Sequence, residues 1–495
     1  MRYISTRGGT DPVSPAEAIK QGPAPDGGLF VPTELPRLDP AQLTAAPYWD
    51  KAAAVLKLYL PDFSDTAITA AARAAYSTGR FDHEAVAPLH RLNDQLSVLE
   101  LWHGPTCAFK DMALQILPHL LREAARKTGE TAALVILTAT SGDTGKAALE
   151  GFRDVPGTQV IVFYPAEGVS PIQAQQMVTQ EGNNVHVVAL RGNFDDAQAG
   201  VKALFTDRSL AGELAGRGYR FTSANSINWG RLIPQIVYYY AAYLELLREG
   251  AAGPGEKINF VVPSGNFGNI LAGYYACRMG LPIHRLICAS NRNNVLTDFL
   301  RGGFYNRNRP FYQTLSPSMD ILVSSNLERL LFELAGREPG RVSRWMRQLR
   351  ESGGYQVDPG TLQDLGTLFW PGFAGDAETL GAIARTFWEH GYLIDPHTAV
   401  GRAVYDQYRA ETADPSNTVI ISTASPFKFN ASTARAVLEP RRTAGKTEYE
   451  LLELLSQTTG SAIPASLNGL EQKPVLHSLI VNPAEIKSTV LRLLA

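Results

Sequence analysis

The sequence predicts an α/β protein built on parallel β-sheets, and two patterns support that prediction. From about residue 131 onward, short apolar runs rich in β-branched residues alternate with segments of helical periodicity. Continuous apolar runs are typical of strands buried on both faces, and strand-helix alternation is typical of parallel βαβ units. The predicted strands are 131–138, 158–165, 184–190, 219–224, 258–263, 283–290 and 417–424.

The composition indicates a large globular protein whose overall charge does not favour a highly charged partner. The chain has 495 residues, of which 45% are hydrophobic and 19% charged, and its formal net charge is -2. This balance gives no support for binding to nucleic acid or to an acidic membrane surface. No segment approaches the ~18 consecutive apolar residues of a membrane span, and the first residues lack a signal-peptide pattern. We therefore expect a cytoplasmic protein.

The cysteines fit the same compartment. The three cysteines include no Cys-x-x-Cys pair, which argues against a disulfide framework or a thiolate zinc site. No metal site is predicted. Cys107 lies close to Lys110 in the chain, and we expect it to be a buried bystander.

Regional differences predict how the chain is divided. Residues 1–90 combine loops rich in proline and glycine with alanine-rich helical stretches, which indicates a separate N-terminal unit. Residues 91–495 form the predicted catalytic region. Within it we expect a smaller nested lobe at about 131–225. An insertion or lid is expected at about 291–415, where the strand signal fades into helical and irregular sequence.

Two predicted strands run directly into glycine-rich turns that open helices. The first turn is Ser-Gly-Asp-Thr-Gly at 141–145, and the second is Ser-Gly-Asn-Phe-Gly-Asn at 264–269. Glycine lets the backbone approach a ligand closely, and a helix start presents free N–H groups and a positive dipole end. We therefore expect each turn to hold an anion, although such residues also serve as ordinary helix caps. Neither turn has the spacing of a P-loop or a dinucleotide-binding motif.

Lys110 lies between Phe109 and Asp111, just before an apolar helical stretch. Most lysines are solvated surface charges, but a buried lysine loses proton affinity and becomes a nucleophilic amine. Schiff-base chemistry with pyridoxal phosphate requires such an amine. One turn would then hold the cofactor phosphate and the other a substrate carboxylate. Thr423 lies at the end of the last predicted strand, either as a simple cap or as a hydrogen-bond partner of the pyridine nitrogen.

The ordered motifs of the chain resemble those of the threonine synthases, which are pyridoxal-phosphate enzymes. They share the tryptophan synthase β-subunit fold, known as fold type II, with parallel-rich sheets, flanking helices and a small N-terminal domain. The resemblance covers most of the chain in order. It is carried by YISTRGG, GPAPDGGLFVP, HGPTCAFKD, TATSGDTGKAA, NSINWGRLIPQIVYY, VVPSGNFGNILAGYYA, SPSMDILVSSNLERLLFEL, IDPHTAVG and STASPFKF.

The resemblance implies a reaction of threonine biosynthesis. O-phospho-L-homoserine and water would be converted to L-threonine and phosphate by γ-elimination and β-addition of water. An enzyme that catalyses this reaction is a carbon-oxygen lyase acting on a phosphate. A phosphohomoserine lyase or a serine/threonine dehydratase on the same fold is the alternative. A non-catalytic regulator that binds a small anion is the alternative from another class. A monomer or a homodimer is expected.

The resemblance also implies where the cofactor lies. Lys110 is expected to form the Schiff base with pyridoxal 5'-phosphate. Thr423 is expected near the pyridine nitrogen, and Asp143 near the 3-hydroxyl, at a position where relatives carry an asparagine. The backbone of the second turn is expected to hold the cofactor phosphate through Gly265, Asn266, Phe267, Gly268 and Asn269.

The substrate contacts implied by the resemblance come from two places. The first turn is expected to face the substrate carboxylate through Ser141, Gly142 and Thr144. Lys146 or Arg231 is expected to contact the substrate phosphate, although both are equally compatible with structural roles. His103 and His397 lie in matching motifs, and the sequence assigns them no chemistry.

Overall fold

The computed structural model describes residues 1–44, 46–140 and 142–495, apart from the side chains of residues 194 and 195. The strands, in chain order, are β1 Tyr3–Ser5, β2 Phe30–Pro32, β3 Leu89–Arg91, β4 Leu96–Glu100, β5 Ala133–Ala139, β6 Thr158–Pro165, β7 Val185–Leu190, β8 Tyr219–Thr222, β9 Ile258–Pro263, β10 Ile283–Ser290, β11 Phe304–Asn306, β12 Gly354–Gln356, β13 Phe369–Phe373, β14 Thr418–Ser422 and β15 Leu479–Val481.

The helices surround these strands. In chain order they are α1 Pro15–Gln21, α2 Tyr48–Tyr59, α3 Asp65–Ala75, α4 Asp111–Leu114, α5 Leu117–Lys127, α6 Asp143–Phe152, α7 Pro171–Val178, α8 Phe194–Thr206, α9 Arg208–Gly216, α10 Trp229–Arg248, α11 Gly268–Met279, α12 Val295–Gly302, α13 Leu327–Leu334, α14 Pro339–Glu351, α15 Pro359–Leu368, α16 Asp376–His390, α17 Pro396–Thr412, α18 Asn430–Val437, α19 Pro440–Thr443, α20 Glu448–Thr459 and α21 Ile486–Leu493.

The larger sheet has the strand order β13-β10-β9-β14-β4-β3. Its neighbouring strands run parallel, except that β3 and β4 are antiparallel. Every residue of β9 and β14 is buried, as the continuous apolar runs predicted. The strands β3, β4 and β13 were not predicted from the sequence, because strands of three to five residues offer little periodic signal.

The second sheet has the order β15-β7-β6-β5-β8, and its neighbouring strands are all parallel. Four of its strands lie within residues 133–222, inside the lobe predicted at 131–225, and the fifth comes from the C-terminal part of the chain. The predicted α/β architecture of parallel-rich sheets with flanking helices is therefore confirmed.

The N-terminal segment packs directly on the central helix α10. The Tyr3 ring meets the buried Trp229 ring edge-on at 5.6 Å, and the Tyr3 hydroxyl donates to the Tyr59 carbonyl at 2.9 Å. Arg329 reaches back from α13 to donate to the Phe30 carbonyl at 3.0 Å. These contacts make the small β1-β2 sheet part of the main core, and the boundary near residue 90 stays a prediction.

Residues 291–415 contribute both to the larger sheet and to the site. β13 lies at the edge of that sheet and pairs with β10, and a 3-10 turn at Pro317–Met319 carries a serine towards Lys110. The predicted role of this range as an insertion or lid stays a prediction. In the described part of the chain, the helices lack the combination of length and apolar character that a bilayer span needs.

Candidate active site

Lys110 lies at the end of the loop that follows β4, directly before α4. Two backbone hydrogen bonds join this loop to the end of β14: the Phe109 N–H donates to the Thr423 carbonyl at 2.8 Å, and the Ser425 N–H to the Cys107 carbonyl at 3.0 Å. The loop is therefore fixed at the carboxyl edge of the larger sheet, where ligands bind in open α/β folds. Lys110 is only 8% exposed.

The Lys110 amine contacts a carboxylate and a hydroxyl. Its Nζ donates to Asp143 Oδ2 at 3.0 Å and lies 3.4 Å from Ser318 Oγ, which itself donates to Asp143 Oδ2 at 3.0 Å. Burial lowers the pKa of Lys110, the Asp143 carboxylate opposes that shift, and the positive charges of Lys428 and Arg231 add to it. The amine is therefore easier to deprotonate than an ordinary lysine.

Asp143 is the first residue of α6 and holds several donors around one buried carboxylate. Besides Lys110 and Ser318, it accepts from Lys428 Nζ at 2.8 Å and from Gln173 Nε2 at 2.9 Å, both on Oδ1. Burial alone would raise the pKa of Asp143, but the ammonium groups of Lys110 and Lys428 lower it well below its usual range. Asp143 is thus an anion held between two cations.

Lys428 was not predicted from the sequence to belong to the site. The residue lies on the 3-10 turn Pro426–Phe429 and is completely buried. One lysine in a four-residue turn produces no periodic pattern, and its partner Asp143 is far away in the sequence. The signal in the sequence was its position between two phenylalanines, which indicates a buried side chain. A buried lysine is expected to have a charged partner.

The second glycine-rich turn keeps its backbone donors free. Within the described residues, the N–H groups of residues 265–269 donate to no protein acceptor. Phe267 has a φ of 62°, in the left-handed region, and this turns the chain into α11. A Cβ at Gly265 would lie 2.9 Å from the Ser318 carbonyl oxygen, so glycine is required for this close approach. The turn therefore forms a cradle of amide groups at the start of a helix.

Asn269 completes this cradle. Its Oδ1 accepts from the hydroxyl groups of Tyr238 at 2.7 Å and Tyr239 at 2.9 Å. These bonds fix the amide orientation, and in the described residues the buried Nδ2 has no partner. A buried donor without an acceptor is costly, whereas a phosphate oxygen would satisfy it. The residues present therefore fit a phosphate-bearing cofactor.

The first glycine-rich turn is different, because two of its amide groups are already used. The N–H groups of Gly142 and Gly145 both donate to Thr140 Oγ1 at 3.0 Å. Ser141 lies outside the described residues, and Thr144 is partly exposed. This turn contributes the Asp143 side chain to the site rather than a row of free amide groups.

The two candidate phosphate-binding cations differ in their partners. Arg231 is buried on α10, where one Nη donates to the Ala224 carbonyl at 2.7 Å and Nε has no partner among the described residues. Burial lowers its pKa to about 10. Lys146 instead lies 3.4 Å from Glu150 and hydrogen-bonds Gln180. Arg231 is therefore available to an anion, while the charge of Lys146 is already paired.

His103 is bound between two carboxylates. One ring nitrogen lies 2.5 Å from Asp82 Oδ1 and the other 2.7 Å from Glu100 Oε2. Burial lowers its pKa, but the hydrogen bonds that the ring donates to Asp82 and Glu100 raise it to about 9. Both nitrogens donate, so His103 is an imidazolium. Its bonds to Asp82 and Glu100 fix the start of the loop that leads to Lys110.

His397 contacts the site through the backbone of Ser318. Its Nδ1 lies 2.8 Å from Asp395 Oδ1, and its Nε2 accepts from the Ser318 backbone N–H at 3.2 Å. An acceptor at Nε2 requires the neutral tautomer with the proton on Nδ1. Asp395 also caps α17 by accepting from the His397 N–H. The histidine thus holds the Ser318 turn next to Lys110.

Taken together, the structure gathers Lys110, Asp143, Thr423 and the second turn at the carboxyl edge of the larger sheet. Around the Lys110 amine, the cations Lys110, Lys428 and Arg231 face the carboxylate of Asp143, and the buried Asp111 carboxyl group also lies near Lys428. The cluster of positive charges suits phosphate-bearing ligands. A buried, weakly basic amine beside such a cradle is suited to carbonyl condensation and proton transfer.

Three family models match consecutive parts of the chain. Residues 2–76 match "Threonine synthase N terminus", residues 81–362 match "Pyridoxal-phosphate dependent enzyme", and residues 398–488 match "Threonine synthase, C-terminal".

Relatives and a solved structure agree with these models. Over 440 residues the chain is 41% identical to threonine synthase of Pseudomonas aeruginosa, covering 88% of this chain and 90% of that protein. It is 38% identical to human threonine synthase-like 1 over 85% of its own length, and it spans 58% of that longer protein. The crystal structure of pyridoxal-phosphate-bound threonine synthase from Brucella melitensis superposes with a TM-score of 0.88 at 36% identity, covering 100% of this chain and 99% of that one.

Proposed function

The chain belongs to the threonine synthase family, and from that premise we propose how its own residues carry out the reaction. The overall reaction converts O-phospho-L-homoserine and water to L-threonine and phosphate. When bound, pyridoxal phosphate supplies a carbonyl for condensation with amines and a ring that stabilises negative charge on the substrate carbons. The protein supplies binding, orientation and proton transfer.

The cofactor site is proposed to have three parts. The free amide groups of residues 265–269 and the unpaired Asn269 Nδ2 hold the phosphate. Thr423, directly after β14, would face the ring nitrogen, and Asp143 would lie near the 3-hydroxyl. Lys110 is the amine that would condense with the cofactor carbonyl. The observation that carries this proposal is the contact of the buried Lys110 amine with Asp143 beside the free cradle.

Lys110 is also proposed to move the protons of the reaction. Its lowered pKa allows the free amine to remove a proton first from Cα and then from Cβ of the substrate. Asp143 and Ser318 both contact Nζ, and so they fix the orientation of the Lys110 amine. After phosphate has left Cγ, a proton would be delivered to Cγ and water would add at Cβ, and the same amine would then return a proton to Cα.

Substrate binding is proposed to use Arg231 for the phosphate. A buried guanidinium with an unpaired Nε gains an acceptor when a phosphate enters. The first turn, with Ser141, Gly142 and Thr144, faces the substrate carboxylate. Lys146 is the weaker candidate for the phosphate, because Glu150 and Gln180 already bind its amine.

The test is to incubate the purified, cofactor-loaded protein with O-phospho-L-homoserine and to identify the products. Threonine and phosphate in equal amounts are expected, whereas 2-oxobutyrate and ammonia would indicate a lyase on the same fold. Borohydride reduction followed by peptide mapping should place the pyridoxyl group on Lys110. Lys110→Ala should lower turnover by more than about 10³-fold, while Lys20→Met, which removes a buried lysine elsewhere, should not.

The compartment and assembly are proposed from the sequence. The sparse cysteines, none of them in a Cys-x-x-Cys pair, favour a reducing cytoplasm, and the protein is proposed to act as a monomer or a homodimer. Light scattering after size-exclusion chromatography measures the second point directly, and a tetramer would contradict it.

A further inference from the structure

We propose that Lys428 is a positioning residue that serves as the resident counter-ion of Asp143, and that it thereby frees the Lys110 amine to react. The inference rests on the role proposed above for Lys110. It concerns only residues of this chain, and it explains why a second lysine is completely buried next to the reacting one.

The two lysines divide the oxygens of one carboxylate. Lys428 Nζ lies 2.8 Å from Asp143 Oδ1, whereas Lys110 Nζ lies 3.0 Å from Oδ2. Among the described residues, these are the two ammonium groups that form salt bridges with Asp143. When Lys110 leaves Asp143 to react, Lys428 therefore still neutralises the carboxylate.

A purely structural role explains Lys428 less well. Its other partner is the Thr106 carbonyl at 2.9 Å, in the loop before Lys110. That loop is already fixed by Asp111, which accepts from the Thr106 N–H at 2.8 Å and from the Thr106 hydroxyl at 2.9 Å. The contact of Lys428 with Thr106 is thus one of several that fix the loop, whereas its contact with Asp143 is one of the two salt bridges of that carboxylate among the described residues.

The charges around both groups favour this role. The Lys110 amine faces the Asp143 carboxylate, the Lys428 ammonium and the Arg231 guanidinium, and the neutral His397 ring also lies near Asp143. A buried carboxylate with a single cationic partner binds that cation strongly, because the alternative is an unpaired buried charge. Without Lys428, Asp143 would hold the Lys110 proton more tightly, and the repulsion between the two ammonium groups would also disappear.

The test measures the reactivity of Lys110 in the full-length, cofactor-free chain, so that it does not depend on turnover. Trace acetylation at a series of pH values, followed by peptide mapping with mass spectrometry, gives the midpoint at which Lys110 becomes reactive. In Lys428→Met, which keeps the side-chain length without the charge, we expect this midpoint to rise. The reactivity of Lys110 at pH 7 should fall by roughly tenfold.

Two variants serve as controls. Lys428→Arg keeps the positive charge and should keep the wild-type midpoint. Lys20→Met removes a buried ammonium that pairs with Glu17 and Glu130 and should leave Lys110 unchanged. If the methionine variant does not fold, as judged by circular dichroism, Lys428→Gln replaces it, since its amide still donates to a neighbouring oxygen.

An unchanged Lys110 midpoint in a folded Lys428→Met or Lys428→Gln protein would overturn the proposal and leave Lys428 as a packing residue. A reduced midpoint would overturn it as well. Failure of the proposed function would be seen separately, as a borohydride-trapped pyridoxyl group on a residue other than Lys110.

Discussion

The two glycine-rich turns begin alike in sequence but supply different groups to the site. Both follow a parallel strand and open a helix, and both begin with Ser-Gly and a polar residue. In the turn at 264–269 the backbone N–H groups are free. In the turn at 141–145, the Thr140 hydroxyl takes two of those groups and the functional element is the Asp143 side chain.

This difference shows that a glycine-rich turn is not by itself an anion site. A single upstream hydroxyl occupies two N–H groups of the first turn, and the Asp143 carboxylate on this turn binds two lysine ammonium groups. The second turn has proline at the matching position, Pro263, and the N–H groups of residues 265–269 have no acceptor among the described residues. The site therefore combines one anion cradle, formed by the amide groups of residues 265–269, with one cation-binding carboxylate, that of Asp143. We call this carboxylate the cation trap.

The largest effect should come from removing the cation trap with Asp143→Asn. The ammonium groups of Lys110 and Lys428 would then be buried without a carboxylate, and we expect the free energy of unfolding at pH 7 to fall by about 3–5 kcal/mol. Because the pKa of Asp143 is lowered in the folded state, its stabilisation is present above the unfolded pKa of about 4 and is lost as pH falls through the folded value.

Urea denaturation at pH 7 and in increasingly acidic buffers measures this effect. The difference between the wild type and Asp143→Asn should shrink in acid. The matched control is Asp65→Asn, because Asp65 is exposed and pairs with Lys57 at 3.2 Å, so less than about 1 kcal/mol is expected. Equal stabilities of wild type and Asp143→Asn at pH 7 would show that the first turn is not a cation trap.

The next largest effect should come from closing the anion cradle with Gly265→Ala. The new Cβ would lie 2.9 Å from the Ser318 carbonyl oxygen, so the turn must shift. Such overpacking costs about 1–3 kcal/mol, and we expect the cofactor to bind about ten- to a hundredfold more weakly. Absorbance titration of the cofactor-free protein with pyridoxal phosphate measures this change.

Gly212→Ala is the control for the cradle. This glycine lies on α9, and a Cβ there meets no atom within 4 Å. Its cofactor affinity should equal that of the wild type. Wild-type affinity in Gly265→Ala would contradict the proposed phosphate cradle.

A third test uses a charged cluster outside both turns. The pKa of His103 is raised to about 9 in the folded protein, so its stabilisation is fully present below about pH 6.5 and is lost as pH rises through about 9. His103→Gln should remove roughly 2 kcal/mol of stability at pH 6 and much less at pH 10, after allowance for the exposure of Asp82.

Thermal unfolding across this pH range follows the effect. His284→Gln, at a more exposed histidine 3.4 Å from Asp414, is the matched control and should change the profile little. If His103→Gln kept the wild-type pH dependence, the imidazolium assigned to His103 would be wrong.

The smallest effect should come from the residue that touches both turns. Ser318 donates to Asp143 and presents its carbonyl to Gly265, and His397 holds its backbone. Ser318→Ala removes only the hydroxyl bond to the carboxylate, so we expect kcat/KM to fall by about tenfold, or about 1.4 kcal/mol. Steady-state kinetics measure this, with the exposed Ser352→Ala as control, and an unchanged kcat/KM would show that Ser318 does not orient Lys110.

The fold was largely predictable, and the exceptions have a common cause. The long buried strands such as β6 and β9 gave continuous apolar runs that identify parallel strands. The short strands β3, β13 and β15 were missed, because three to five residues are stabilised by their neighbours in the sheet rather than by their own pattern. The sequence predicted that residues 1–90 form a separate unit. It did not predict that Tyr3 of this segment packs against Trp229.

The sequence by itself determined the buried strands, the two glycine-rich turns and the lysine that precedes α4, because each depends on residues adjacent in the chain. Only the tertiary structure decided which turn keeps its amide groups free and which charges surround Lys110. Asp143 meets Lys428 from 285 positions away and Ser318 from 175. Electrostatic partners depend on distance in space, and a local pattern carries no record of that distance.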